Sequence, residues 1–450
     1  MVFGATGDLA HKQIWPALFG LAERGALTVP VIGVAGSSRS DEQLREIARS
    51  AITASGGNPR ARAWTRVEKT LRYLGGDYRE RDVFESLRDA LASFQAPMYY
   101  LAIPPSLFET VARSLQRTDG TEGARIVVEK PFGHDLASAR RLNELLARIF
   151  DEREIYRIDH FLGKESVESL LYFRFANAFA EPLLRHEHVA SVQVTMAEDF
   201  GVADRGSFYD ETGAVRDVIQ NHLLQVAAIV AMEPPTRHAD DALRDAKATA
   251  IKAMRPLTPS GSVYGQYRGY RQVPGVSARS ATETYAAVRL YVDTWRWAGV
   301  PFFIRAGKCL PVTVTEVLVQ LRHAPDVLTG EKHRGSVNHL RFRIDPKLEI
   351  ALGARTKAPG DTVAGRDVEL DVPCQPGPVL APYERLLGEA LVGDQSSFAR
   401  WDSVEAAWRV VDPILGGKVP AKTYDPGSWG PPGSAALIRG SGEWVAPQPG

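Results

Sequence analysis

Two short segments carry residue types suited to acid–base chemistry. Residues 155–164 read IYRIDHFLGK and residues 216–225 read RDVIQNHLLQ. The first offers Asp159, His160 and Lys164; the second sets Asp217 and His222 at the polar end of a run that then turns apolar. An imidazole titrates near neutrality and can take a hydroxyl proton, while a carboxylate can orient that base and stabilise its imidazolium. Lysine and a second histidine can hold an anion such as phosphate. Oxidation of a phosphorylated sugar needs such a set. Each segment also has a plainer reading when taken alone: Asp-His-x-x-x-Lys is more often a solvated helix start, and a histidine ahead of an apolar helix is more often a satisfied core residue. If a helix begins near residue 160, His160 and Lys164 share one face of it.

A third motif opens the chain. Gly4-Ala5-Thr6-Gly7-Asp8-Leu9 follows a short apolar strand and leads into a helical pattern. In that context glycines let the backbone approach a pyrophosphate, which the helix N-terminus then meets with unpaired amides; a bare glycine turn would read the same way. NAD enzymes usually place an acid after the second strand to hold the ribose 2′-hydroxyl. Here the segment runs Gly33-Val34-Ala35-Gly36-Ser37-Ser38-Arg39, with no acid before Asp41. Ser37 and Arg39 suit a 2′-phosphate better, unless Arg39 is only a solvated helix-start residue. Tyr99-Tyr100-Leu101-Ala102-Ile103-Pro104 and Glu129-Lys130-Pro131 end two further strands in rigid turns, at the edge where doubly wound sheets bind ligands. They nominate Tyr100 and Lys130. A cis bond at Pro131 would aim Lys130 into the cleft; otherwise it is a surface lysine.

The elements that must position these groups follow two patterns. Strand patterns at 2–3, 29–34, 98–103 and 125–128 alternate with helical ones at 14–24, 41–55, 81–95 and 107–116, which predicts an α/β Rossmann-like domain over residues 1–158. Beyond it, alternating strands at 190–196, 284–291, 314–322 and 338–344 accompany helical patterns at 164–177, 214–232, 239–253, 382–391 and 403–411. They predict an α+β domain over residues 159–450 with a large, mainly antiparallel sheet and a Gly/Pro-rich surface-wrapping tail. Val2–Phe3 is short for a buried strand, so either that strand is clipped or the chain starts inside a longer coding region.

With 450 residues, 44% of them hydrophobic, the chain can bury a large core. Lys plus Arg equals Asp plus Glu at 54 each, so no overall field recruits nucleic acid or an anionic membrane. Cys309 and Cys374 show no zinc or redox spacing; no metal site is expected, and a reducing cytoplasm is the simplest compartment. The apolar run 223–232 is too short to span a bilayer, and no charged n-region of a signal peptide precedes the glycine turn.

The motifs GATGDLA, YYLAIPP, VVEKPFG, RIDHFLGKE, LYFRFAN, RDVIQNHLLQ, VAMEPP, GVPFFIRAGK and YERLL stand in the order and approximate spacing of the glucose-6-phosphate dehydrogenase family, which the chain resembles to about residue 430. The resemblance implies that His222 removes the proton of the sugar C1 hydroxyl and that Asp159 orients it. It implies that His160 and Lys164 hold the phosphate, and that Lys130, Glu198, Asp217 and Lys308 hold sugar hydroxyls or phosphate. It also implies that Gly4, Thr6, Gly7, Asp8, Leu9, Ser37, Arg39, Tyr100 and Lys130 bind NADP, with NAD as the alternative cofactor. The implied product is 6-phosphogluconolactone, in the oxidative pentose phosphate pathway, made by a cytoplasmic homodimer or homotetramer. Three positions depart from the family. Gln13 replaces a lysine that reaches substrate and nicotinamide, Phe161 a tyrosine at the phosphate, and Gly36 an arginine at the 2′-phosphate. They leave open a catalytically weak regulatory paralogue, or a related hexose or hexose-phosphate dehydrogenase of altered substrate or cofactor preference.

Overall fold

The computed structural model describes residues 1–237, 240–325, 337–360, 364–373 and 380–448, so Cys374 lies outside the described residues. The chain divides into two compact units, neither continuous in sequence. The first comprises Met1–Glu165, Arg237–Arg244 and Val379–Glu405; the second comprises Ser166–Thr236, Asp245–Pro378 and Ala406–Gly450.

The strands of the first unit are short and apolar because most are buried on both faces. They are β1 (Val2–Phe3), β2 (Ile32–Ala35), β3 (Arg72–Gly75), β4 (Met98–Leu101), β5 (Arg125–Glu129) and β6 (Ile155–Ile158), in the order β3-β2-β1-β4-β5-β6. Every pairing is parallel, and the order reverses at β1, where doubly wound sheets open a crevice. Two-residue β1 is held by neighbours on both sides. β3 and β6 were missing from the sequence pattern. β3 reads Arg-Tyr-Leu-Gly, with exposed ends on a sheet edge, and β6 lies against the chemical motif that masked it. Leu386, Leu387, Ala390 and Phe398, from the late segment, are buried in this unit's core with Trp15, Trp64 and Tyr156. That segment also bridges β6, where Ala399 N donates to Arg157 O at 3.2 Å.

The second unit is built on nine described strands: β7 (Val189–Ala197), β8 (Ser262–Tyr267), β9 (Tyr285–Tyr291), β10 (Pro301–Gly307), β11 (Val314–Leu321), β12 (His339–Asp345), β13 (Glu349–Lys357), β14 (Gly365–Val372) and β15 (Ala421–Tyr424). Their order is β14-β13-β12-β11-β7-β10-β9-β8-β15. The sheet is mixed but mainly antiparallel, since only β7 with β10 and β8 with β15 run parallel. The tail is more firmly packed than a surface wrap. Arg305 lies between the rings of Trp429 and Trp444, 4.4 and 4.5 Å from their centroids, and donates to Val445 O at 2.8 Å. Among the described residues no helix is long and apolar enough to cross a membrane.

Candidate active site

Two sets of functional side chains emerge, one in each unit. In the first, the chain leaves β1 through Gly4 at φ 77°, a left-handed value that favours glycine. A Cβ there would lie 2.1 Å from Ala102 O, so only glycine admits the close approach of the β4 loop. Trp15 is fully buried and its indole donates to Ala5 O at 3.0 Å, fixing the turn from below. The following residues Ala10–Ile14 are π-wound and lead into the helix Trp15–Glu23. Thr6, Gly7 and Leu9 are half-buried, while Asp8 is exposed and pairs with Lys12 at 2.9 Å. The turn can therefore present main-chain amides to an anion.

Ser37 and Arg39 are exposed at the end of β2, with Arg39 Nε donating to Ser37 Oγ at 3.2 Å. Asp41 caps no ribose here: its Oδ1 accepts from Tyr73 N at 2.7 Å and its Oδ2 pairs with Arg72 at 3.4 Å. No side chain stands within 4 Å of a Cβ placed on Gly36. The open glycine turn and the exposed end of β2 can receive a dinucleotide. Tyr100 is different, because its ring is fully buried and its hydroxyl donates to Glu129.

Glu129 forms a buried network missed from sequence. Tyr100 and Tyr383 both bond its carboxylate, and burial raises its pKa to about 7 against the pull of those bonds and of Lys130. Lys130 is half-buried, and the Lys130–Pro131 peptide is cis. Tyr383 also stacks on His160, with centroids 6.3 Å apart and planes 7° apart. It lies more than 200 positions away in sequence, which no local signal spans.

The helix expected over 164–177 is Glu165–Ala176, so Asp159–Lys164 lie ahead of it and the condition that would set His160 and Lys164 on one helix face is not met. Leu162 N bonds Asp159 O at 2.9 Å and Lys164 N bonds Phe161 O at 3.2 Å, giving tandem turns, and the helix begins at Glu165. The Asp159 carboxylate accepts from Phe161 N at 3.0 Å, closing the first of these turns locally. Asp159 is buried and His160 half-buried. Phe161, buried where the family has a tyrosine, holds the Lys164 ammonium 4.4 Å from its ring centroid. Below the motif, buried Arg157 donates to Glu152 Oε1 and Asn143 Oδ1, each at 2.7 Å.

In the second unit, strand pairing makes the site. β7 and β10 run parallel with Ala197 opposite Gly307, so the next residues, Glu198 and Lys308, come together as an ion pair of 2.5 Å. The Lys308 ammonium lies 5.0 Å from the Phe200 ring centroid and 5.6 Å from that of Tyr209. Burial pushes the Tyr209 hydroxyl well above its usual range, and the charges of Asp217 and Glu198 add to this. Phe200 and Tyr209 had no distinctive signal in sequence.

The helix expected over 214–232 is two pieces, the π-wound Val215–Leu223 and the α-helical Leu224–Ala231, and a separate helix, Gly206–Ala214, precedes them. The winding matters for chemistry. In an α-helix residues five apart lie about 140° apart around the axis, whereas i→i+5 winding brings them round to the same side. Asp217 and His222 are five apart within the π-wound stretch. They share a face that α-helical spacing denies them. His222 is 2% exposed and Asp217 half-buried.

A doubly wound parallel sheet whose first strand ends in an open glycine turn defines a dinucleotide-binding class of protein. Residues 1–169 match the family description "Glucose-6-phosphate dehydrogenase, NAD binding domain" and residues 171–445 match "Glucose-6-phosphate dehydrogenase, C-terminal domain". Glucose-6-phosphate 1-dehydrogenase 1 of Mycobacterium tuberculosis is 45% identical over 99% of this chain and 96% of its own length. The crystal structure of glucose-6-phosphate 1-dehydrogenase from Mycobacterium avium superposes with a TM-score of 0.93 at 45% identity, covering 99% of this chain and 98% of that one. A glucose-6-phosphate dehydrogenase in complex with its substrate glucose-6-phosphate gives a TM-score of 0.90 at 34% identity, over 99% of this chain and 98% of its own. The chain belongs to the glucose-6-phosphate dehydrogenase family.

Proposed function

We propose that this enzyme oxidises glucose 6-phosphate at C1 to 6-phosphogluconolactone, with NADP as the preferred hydride acceptor. The observation that carries the reading is the buried imidazole of His222 on a π-wound segment with Asp217 on its face, in a member of this family. His222 takes the C1 hydroxyl proton on an imidazole nitrogen, and Asp159 supplies the carboxylate that the imidazolium needs. His160 and Lys164 bind the phosphate, and the cation–π contact with Phe161 replaces a hydroxyl by a fixed lysine. Glu198, Asp217, Lys308 and Lys130 orient the sugar. A bound nicotinamide would supply the acceptor for the hydride that leaves C1. Gly4, Thr6, Gly7, Asp8 and Leu9 hold its pyrophosphate, and Ser37 and Arg39 meet the 2′-phosphate, because Asp41 is committed to β3. The reading includes a cytoplasmic homodimer or homotetramer.

Steady-state assays on purified protein with glucose 6-phosphate or glucose, and NADP or NAD, test this. The expected result is turnover dependent on the sugar phosphate and faster, as kcat/KM, with NADP. Absence of turnover with either cofactor would instead favour the regulatory paralogue, for which Gln13 and Gly36 are the motive.

A further inference from the structure

Glu283 has no part in the roles above, yet it is buried at the point where the π-wound segment begins. We propose that Glu283 is a positioning residue, whose carboxylate fixes the winding of Val215–Leu223 and thereby holds Asp217 and His222 on one face. The inference rests on the function proposed above.

A π-wound stretch accommodates an extra residue per turn at the expense of hydrogen-bond geometry, so it persists where both ends are fixed. At the start, Gly213 breaks the preceding helix at φ 70° and ψ 172°. Ala214 N then donates to Glu283 O at 3.0 Å, and Val215 N to Glu283 Oε1 at 3.1 Å. These are amides that a helix start otherwise leaves unsatisfied. A Cβ on Gly213 would lie 2.5 Å from the same Oε1, so the glycine makes room for this carboxylate. Burial raises the Glu283 pKa, while the Val215 amide and the charge of Arg216 oppose that rise.

The α-helix that continues the π-wound stretch, Leu224–Ala231, is tied at its own far end. Arg174 is fully buried, bonds the carbonyls of Ile229 and Met232, and pairs with Glu181 at 2.9 Å. The carbonyl of Ile229 in the last turn and that of Met232 just beyond it are thus satisfied. Between two fixed ends the residue count dictates the winding. Releasing the first end lets the segment relax toward α-helical spacing, which rotates His222 away from Asp217.

Glu283→Ala and Glu283→Gln separate this role from plain stability, because glutamine still offers Val215 N an oxygen. Kinetics are expressed per folded molecule, with the folded fraction taken from thermal unfolding. The alanine variant should lose about tenfold or more in kcat and show a raised KM for glucose 6-phosphate, with KM for NADP unchanged. Glutamine should recover most of the loss. Amide exchange over residues 215–223 should accelerate in the alanine variant, a readout that stands even if the wild type proves inactive on glucose 6-phosphate. The proposal is overturned by unchanged exchange, by losses that only track the folded fraction, or by a glutamine variant as impaired as alanine.

Discussion

Each unit of the molecule contains a π-wound segment beside functional residues, Ala10–Ile14 in the first and Val215–Leu223 in the second, and the two are used differently. The first follows a glycine turn whose working parts are main-chain amides, and of its own side chains Gln13 is the one for which the family motif implies a ligand contact. The second works through side chains, Asp217 and His222, and its winding decides which way they point. In both cases a left-handed glycine precedes the segment, Gly4 in one and Gly213 in the other. Space for Gly4 is limited by a backbone carbonyl, and space for Gly213 by a carboxylate. Backbone recognition tolerates sequence drift; side-chain chemistry tolerates little.

The sharpest test of that contrast is His222→Ala. It should lower kcat by roughly 10²-fold or more while leaving the KM for glucose 6-phosphate nearly intact, because a general base acts in the chemical step. A variant retaining more than about a tenth of wild-type kcat would return His222 to the status of a core histidine. Gly4→Ala probes the other segment. A methyl 2.1 Å from Ala102 O forces the turn open, and a cost of roughly 3 kcal/mol or more should appear as a lower melting temperature and weaker dinucleotide binding. Unaltered dinucleotide affinity in the folded variant would place the pyrophosphate elsewhere.

Glu129 gives a pH test confined to the first unit. Its folded pKa of about 7 stands above the ordinary 4.5, so the protein favours the protonated form. The stability this contributes is complete below pH 4.5 and is lost as pH rises through about 7. Glu129→Gln stays neutral throughout. The unfolding free energy of the wild type relative to this variant should therefore fall across that window, by about 3 kcal/mol at most; a flat difference would mean that Glu129 is ionised when folded. The smallest effect is expected from Arg39→Ala, which should lower the NADP/NAD ratio of kcat/KM while leaving NAD nearly unchanged. An unchanged ratio would mean that Arg39 faces solvent and the 2′-phosphate is held by other groups.

Much of this organisation was legible in the chain. Both sheet types, the glycine turn, and the types Asp159, His160, Lys164, Asp217 and His222 followed from pattern and from family motifs. What escaped was set by distance or by winding. Tyr383 reaches His160 across the sequence, and Glu198 finds Lys308 only through the β7–β10 register. Periodicity assumes 3.6 residues per turn, so it reads an apolar, helix-like run through Val215–Leu223 and misses the π winding. A strand such as Arg72–Gly75, too short and too polar at its ends to alternate, leaves no pattern to count.

The late segment Val379–Glu405 has a consequence for synthesis of the chain. It supplies Leu386, Leu387, Ala390 and Phe398 to a core whose other residues lie almost wholly within the first 165 positions. On the ribosome, at roughly 5–20 residues per second, that core waits on the order of ten seconds to a minute for its last side chains. Throughout this interval the nascent unit exposes the apolar surface of Trp15, Leu18, Leu21 and Tyr156 that the segment will later help to cover. Chaperone demand during translation should therefore fall on the amino-terminal half, and truncations that end before residue 379 should leave a nucleotide-binding sheet unable to close its own core.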